Sequence, residues 1–122
     1  MPLEVLLRPG DYIFIGTAKV VVRSGDYTKL AIEGSMPVLR ESDFVELGDA
    51  PTRARELYVM LQEAYMQDDF GTRQDEYAER VSALLRQSPS AAATVASING
   101  WIGKQNLYKA LKAARPLVDE FD

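Results

Sequence analysis

The chain has 122 residues, of which 47% are hydrophobic, and a formal net charge of −4. This length suits one domain, and this hydrophobic content argues against wholesale disorder. Cysteine and histidine are both absent, which excludes disulfides, histidine-based catalytic pairs and the usual zinc sites. No glycine-rich phosphate-binding motif occurs either. The sequence therefore predicts a protein that is not an enzyme, with no catalytic residue, no cofactor and no bound metal.

The distribution of charge and of apolar residues predicts where the protein works. No apolar stretch approaches the ~20 residues that cross a bilayer, and the N-terminus lacks the pattern of a secretory signal. A cytoplasmic protein without a membrane partner is predicted.

Although the chain is acidic overall, residues 80–118 contain six basic residues and no acidic one. This segment is a locally positive region on an acidic protein.

Residues 1–47 show the two-residue hydrophobic period of short β-strands. Alternation begins at Leu3, Val5 and Leu7, and residues 8–11 have the proline and glycine of a type II turn. Further strands are predicted over residues 12–15, 18–23 and 28–33, with turns at 16–17 and 24–26, and a last short strand over 38–40 followed by 44–45. A sheet this small buries too little surface to be stable alone.

From residue 49 the hydrophobic period changes to 3.6, which predicts about four helices. They begin after Asp49-Ala50-Pro51, at Thr72, at Ser88-Pro89 and near Asn106; the third ends near Trp101, and Pro116 kinks or stops the fourth. The predicted inward positions are Ala54, Leu57, Tyr58, Leu61, Ala64 and Tyr65, then Tyr77, Val81, Leu84 and Leu85, then Ala92, Val95, Ile98 and Ile102, and finally Leu107, Ala110, Leu111, Ala114 and Val118.

The predicted fold is therefore α+β. A small N-terminal antiparallel β-sheet over residues 1–48 precedes a C-terminal helical bundle over residues 49–122, and both parts share one core as a single domain. Because the strands are few and short, their edges need covering, which predicts a homo-oligomer, most simply a dimer.

The fourth predicted helix carries a basic face. If Lys104 is helical, a helical wheel groups it with four other residues away from the apolar stripe; the set is Lys104, Tyr108, Lys109, Lys112 and Arg115. Basic residues with one aromatic suit phosphate contact with base stacking, so these five are candidate RNA-binding residues. The alternative is the solvated outer face of an amphipathic helix, which is the commoner role of such a face.

Three further residues are candidates for binding. Arg8 and Arg40 stand at strand ends, where an arginine side chain is able to bind phosphate or base edges, and both are RNA-binding candidates. Trp101, in Gly100-Trp101-Ile102-Gly103, is a candidate protein-docking residue because tryptophan dominates interface hot spots. The alternative for Trp101 is a loop residue that fills the core of the bundle.

The order of these segments resembles the FlbT family, the bacterial flagellum biosynthesis repressors. The resemblance lies in Leu7-Arg8-Pro9-Gly10-Asp11, Ile13-Phe14-Ile15-Gly16, Arg23-Ser24-Gly25-Asp26, residues 32–43, Pro51-Thr52 with Leu57-Tyr58, and residues 107–115. It implies a cytoplasmic post-transcriptional regulator of flagellin, which binds the 5′ untranslated region of flagellin mRNA and promotes its decay. It also implies work beside a small partner protein, FlaF, and assigns no RNA-contacting residue.

The N-terminal segments are also similar, over a shorter length, to the carbon storage regulator family, whose dimers bind mRNA leaders. Residues 7–11, 13–16 and 38–41 carry this likeness, which implies RNA contacts from Arg40 and from residues 6–8. Two classes of function follow from the whole sequence. One is direct RNA binding, and the other is a protein-binding adaptor or chaperone-like module that acts on flagellin or FlaF without RNA contact, which the acidic net charge favours.

Overall fold

The structure is a computed structural model that describes residues 3–23 and 25–122. Its contacts group the chain into two compact units, namely Met1–Phe44 with Met66–Asp68, and Val45–Tyr65 with Asp69–Asp122. The α+β class, with antiparallel strands first and helices after them, is confirmed. The single core predicted to join residues 1–48 to 49–122 stays a prediction. Within the described residues, no helix is both long and apolar enough to cross a membrane.

Among the described residues, the first unit contains five short strands, all paired antiparallel. They are β1 (Leu3–Leu7), β2 (Tyr12–Ile15), β3 (Ala18–Val21), β4 (Thr28–Ile32) and β5 (Val38–Arg40). They form two small sheets instead of the one predicted, because β1 pairs with β4 while β2 pairs with β3 and β5. Each of these sheets has strands with only one neighbour, so the predicted oligomer that would cover the edges stays a prediction.

The period-two pattern of β1 and β4 places alternate residues of each strand on its more buried side. Val5 and Leu7 of β1 pack with Ile13 of β2 and with Val22 in a buried cluster. Partly buried residues of β4 complete it, since Leu30 lies opposite Val5. The alternation predicted for β1 and β4 is therefore confirmed.

Two of the three predicted turns are confirmed. In the first, the Asp11 N–H donates to the Arg8 carbonyl oxygen over 2.9 Å and Gly10 has φ +91°, the left-handed conformation that glycine supplies in a type II turn. The second joins β2 to β3 through two residues, with Ile15 opposite Ala18. Ser24 of the third predicted turn lies outside the described residues.

The strand predicted over residues 44–45 is absent, and Gln62 explains why. The Val45 N–H donates to Gln62 Oε1 over 2.8 Å, and Gln62 Nε2 donates to the Val45 carbonyl oxygen over 2.8 Å. Both backbone groups of Val45 thus bind a side chain instead of another strand. Gln62 is the one buried polar residue among those described, at 2% exposure.

The second unit contains five α-helices. They are α1 (Arg53–Gln67), α2 (Gln74–Gln87), α3 (Ala92–Gly103), α4 (Leu107–Ala113) and α5 (Arg115–Glu120). The fourth predicted helix divides at Ala114, because Pro116 has no N–H to continue the helical hydrogen bonding and lies in the first turn of α5. The predicted effect of Pro116 is confirmed.

Most of the predicted inward positions of these helices are buried. In α1 the stripe from Ala54 to Ala64 is buried, and so are Val59, Met60 and Gln62, so α1 is covered on more than one face. Ile98 and Leu111 of the later helices are fully buried or nearly so.

Three local predictions for the helices are wrong. Thr72 does not cap α2, because it ends a short 3₁₀ turn and its hydroxyl donates to the Asp69 carbonyl oxygen over 2.8 Å. Ala92 is exposed and Ala91 is buried instead, because a 3₁₀ turn over Pro89–Ala91 rotates the chain differently from an α-helix. The third helix continues past Trp101 to Gly103.

Hydrogen bonds connect the Asp122 carboxylate to residues at the start of α1. The Asp122 carboxylate accepts hydrogen bonds from Arg55, with Nε at 3.1 Å, and from the Thr52 hydroxyl at 2.7 Å. Thr52 also caps α1, since its hydroxyl oxygen accepts from the Arg55 N–H over 3.0 Å. The Arg55 side chain, followed by the Thr52 hydroxyl, holds the pKa of Asp122 below its ordinary value.

The hydrogen bonds to Asp122 predict that the stability of the fold depends on pH. A carboxylate whose pKa is lower in the folded than in the unfolded state stabilises the fold above its unfolded pKa, and this contribution is lost as the pH falls through the folded pKa. We expect Asp122→Asn to lower the urea midpoint near pH 7 and the difference from the wild type to shrink through the acid range below 3.8, the ordinary pKa of an Asp carboxyl. A difference that stays constant across that range would contradict the assignment.

Candidate nucleic-acid interface

A tight turn between α3 and α4 brings the basic and aromatic candidates together. Gln105 has φ +58°, a left-handed conformation that reverses the chain within three residues. The Asn106 N–H donates to the Trp101 carbonyl oxygen over 3.0 Å, and the Asn106 side chain accepts from the Lys109 N–H over 3.1 Å. Asn106 therefore closes α3 and caps α4 at once.

The turn corrects the predicted basic face. Lys104 is not helical, because it follows the last residue of α3, and Arg115 begins the separate helix α5. Only Tyr108, Lys109 and Lys112 belong to one helix. The face predicted as one stripe is instead built from the end of α3, the turn and α4.

Trp101 lies on α3 and is partly buried. The prediction that it stands in a loop is wrong, because the helix continues through Gly100 to Gly103. The Lys104 ammonium lies 4.8 Å from the centre of the indole ring, and the Lys109 ammonium also lies 4.8 Å from it. Both distances are within the range of cation–π attraction.

Tyr108 lies on α4 and is 42% exposed. Its ring centre is 5.7 Å from that of Tyr65, with the ring planes tilted by 47°. The Lys112 ammonium, one helical turn further on, lies 5.5 Å from the centre of the Tyr108 ring. Tyr65 was predicted to belong to the core stripe of α1, yet it is only partly buried.

These contacts form one group around Trp101 and another around Tyr108, and the two groups are neighbours because Tyr108 and Lys109 are adjacent in α4. Together we call them the lysine–aromatic cluster. Its members are Tyr65, Trp101, Lys104, Tyr108, Lys109 and Lys112. It holds three of the five lysines of the chain, and its six residues include no carboxylate. Sequence reasoning found five of the six and missed Tyr65, because a tyrosine at the end of an apolar stripe gives no sign of which part of its ring stays exposed.

The remaining arginine candidates lie outside this cluster. Arg115 Nε lies 3.4 Å from the Asp119 carboxylate, which offsets part of its charge. Arg8 pairs with Asp11 across the first turn, with Nε 3.4 Å from the carboxylate. The Arg8 backbone N–H also donates to that carboxylate and lowers the pKa of Asp11. Arg8 and Arg115 therefore have local structural partners.

Arg40 lines a cleft in the first unit. The cleft has a volume of about 170 Å³, and Leu6, Leu7 and Glu41 also line it. Arg8 is not among the residues that surround it. The structure thus brings Arg40 together with residues 6 and 7 but not with residue 8, and the cleft includes acidic side chains. It matches a polyanion less well than the lysine–aromatic cluster does.

Comparison with known proteins identifies the family. A family model described as "Flagellar protein FlbT" matches residues 3–120. A Rhodopseudomonas palustris protein named "Probable flagellum biosynthesis repressor protein FlbT" is 36% identical over 97% of this chain and 93% of its own length. A Bradyrhizobium diazoefficiens protein named "Probable flagellum biosynthesis repressor protein FlbT 1" is 33% identical over 97% of this chain and 81% of its own length. The Caulobacter vibrioides "Flagellum biosynthesis repressor protein FlbT" is 28% identical over 100% of this chain and 88% of its own length. No solved structure gives a significant match.

Proposed function

The chain belongs to the FlbT family of flagellar proteins, and from that premise we propose that it is a cytoplasmic regulator of flagellum biosynthesis that binds the 5′ untranslated region of flagellin mRNA and promotes its decay. The names of its relatives support the flagellar and repressive part of this proposal. The RNA-binding part is supported by the geometry of this chain.

The observation that carries the proposal is the lysine–aromatic cluster. Lys104, Lys109 and Lys112 are exposed residues, and lysine ammonium groups attract the phosphate oxygens of RNA. Binding of each phosphate releases condensed counterions, which drives association with RNA. Tyr108 adds an aromatic ring of the kind on which bases stack. Cations and aromatic rings are thus combined on one small surface, as in proteins that bind single strands.

The cluster supplies binding and not cleavage. Its lysines and aromatic rings are assigned here to phosphate contact and base stacking. In this proposal a cellular ribonuclease performs the decay, and the protein determines which transcript is exposed to it by occupying the leader.

The alternative is a protein-binding adaptor that acts on flagellin or FlaF without RNA contact. The net charge of −4 favours it, because an acidic protein repels nucleic acid at long range. A partly buried tryptophan at the surface also suits a protein hot spot. The cluster is then a docking surface, and the lysines are its rim.

A titration at two salt concentrations separates these functions. We expect a flagellin leader RNA to bind with an affinity that falls with salt at a slope of about −2 in log K against log salt, since three phosphate contacts contribute about 0.7 each on a single strand. Flagellin protein is the parallel ligand. No RNA binding at either salt, with salt-insensitive flagellin binding, would establish the adaptor instead.

A further inference from the structure

Trp101 and Tyr108, two rings of the lysine–aromatic cluster, have different surroundings. Trp101 is partly buried and has two ammonium groups at 4.8 Å from its centre. Tyr108 is 42% exposed, with Tyr65 and one ammonium beside it. The Trp101 ring therefore has mainly cations beside it, whereas the Tyr108 ring has another aromatic ring and one cation, and this difference suggests different roles in binding.

Trp101 is placed to hold cations. A free lysine side chain samples many rotamers, and fixing one costs up to about 2 kcal/mol at binding. Attraction to the indole ring restrains the side chains of Lys104 and Lys109, whose ammonium groups each lie 4.8 Å from the ring centre, before any ligand arrives. Two ammonium groups gathered at one ring form a site for the phosphate groups of a nucleic-acid backbone.

Tyr108 is placed to accept a base. The residue is 42% exposed, and Tyr65 packs beside its ring at 5.7 Å, which limits the freedom of the ring before binding. A base stacks on such a ring only if its own face is free. In a duplex the base faces are covered by neighbouring base pairs, whereas unpaired loops and ends offer them.

We infer that the two rings have different roles in binding one strand. Tyr108 is the stacking residue for an unpaired base. Trp101 is a positioning residue that holds Lys104 and Lys109 for the phosphates of the same strand. The ligand class is therefore single-stranded RNA. This inference rests on the proposed function and adds to it the form of RNA recognised and the role of each ring.

The first test compares paired and unpaired RNA. The probe is an unstructured, fluorophore-labelled oligoribonucleotide from a flagellin leader, used free and annealed to its complement, with binding followed by anisotropy. We expect the free strand to bind at least about fivefold more tightly, since one stacked base contributes that much. Equal or tighter binding of the duplex would overturn the inference while leaving RNA binding by the protein intact.

The second test isolates stacking from charge. Tyr108→Ala should weaken binding of the free strand about 5- to 100-fold, as expected for one lost stacked base, and should lower the salt slope by no more than about 0.7, because Lys112 is the one lysine of the cluster that lies against its ring. Tyr108→Phe should retain affinity. Tyr27→Ala is the matched control, since Tyr27 is a tyrosine at 65% exposure outside the cluster, and it should bind like the wild type.

The third test isolates positioning. Trp101→Leu keeps apolar bulk but removes the cation–π attraction, so the salt slope should fall by about 0.7 to 1.4, the equivalent of one or two phosphate contacts on a single strand. Trp101→Phe, which keeps a weaker π-face, should lie between. The circular dichroism of each variant is compared with that of the wild type.

The outcomes separate the inference from the proposal on which it rests. An unchanged affinity in Tyr108→Ala, or an unchanged slope in Trp101→Leu with native circular dichroism, would overturn the division of roles. If Trp101→Leu fails to fold, Trp101→Phe and the Tyr108 variants decide the matter. Failure of the wild type to bind the free strand and the duplex alike would instead defeat the proposed function itself.

Discussion

The triple variant Lys104→Gln, Lys109→Gln and Lys112→Gln is expected to bind flagellin leader RNA about 100-fold more weakly than the wild type at about 0.1 M salt. On single strands each phosphate contact contributes about 0.7 to the salt slope, which at that salt corresponds to about a fivefold gain in affinity. The three lysines are exposed and lie outside the apolar stripe of α4, so the fold should survive. Fluorescence anisotropy at several salt concentrations measures both the affinity and the slope.

A matched control separates the site from the overall charge. The triple variant lowers the net charge from −4 to −7, which alone weakens attraction to RNA. Lys19→Gln, Lys29→Gln and Arg86→Gln together give the same net charge by changing exposed residues outside the cluster. We expect the control to lose much less affinity than the cluster variant. Equal losses would show that the cluster has no special role, and an unaffected cluster variant would exclude it as an RNA site.

Gln62→Leu is expected to lower the free energy of unfolding by about 2–4 kcal/mol. The substitution leaves the N–H and the carbonyl of Val45 without their partner, and a buried polar group without a hydrogen bond costs about 1–3 kcal/mol. Val45 is itself buried, so water does not easily replace the amide. Urea unfolding followed by circular dichroism gives the value.

Gln87→Leu is the control for Gln62. Gln87 is exposed at the end of α2, where a substitution usually changes stability by less than about 0.5 kcal/mol. A Gln62 variant no less stable than this control would show that residues 44–46 are held by apolar packing and not by the side-chain amide.

Local signals in the sequence predicted most of the strands and helices. The first turn depends on Pro9 and Gly10, which lie next to each other in the chain, and the division of the last helix depends on Pro116 alone. Contacts between distant residues were not accessible in the same way. The hydrophobic period predicts that a segment is a strand, but it does not specify which strand it pairs with. The sequence therefore did not predict that β1 pairs with β4 in one sheet while β2 pairs with β5 in another.

The same distinction separates the parts of the candidate site. Tyr108 and Lys112 were found because they are one helical turn apart, a spacing visible in the sequence. Trp101 joins Lys109 only because Gln105 adopts a left-handed conformation and reverses the chain. A glutamine there gives no sequence signal, whereas Gly103, which lies beyond the predicted end of the third helix near Trp101, is helical. Gln62 shows the limit most clearly, since a polar residue on a helix predicts exposure and not burial.

The position of Trp101 also gives the protein an optical reporter. It is the sole tryptophan of the chain, and its indole has two ammonium charges at 4.8 Å. The emission energy of an indole depends on the electric field across its ring. A ligand that draws either lysine away changes that field and shifts the emission wavelength. Occupancy of this surface is therefore visible in the fluorescence of the unlabelled protein, with no second tryptophan to obscure the signal.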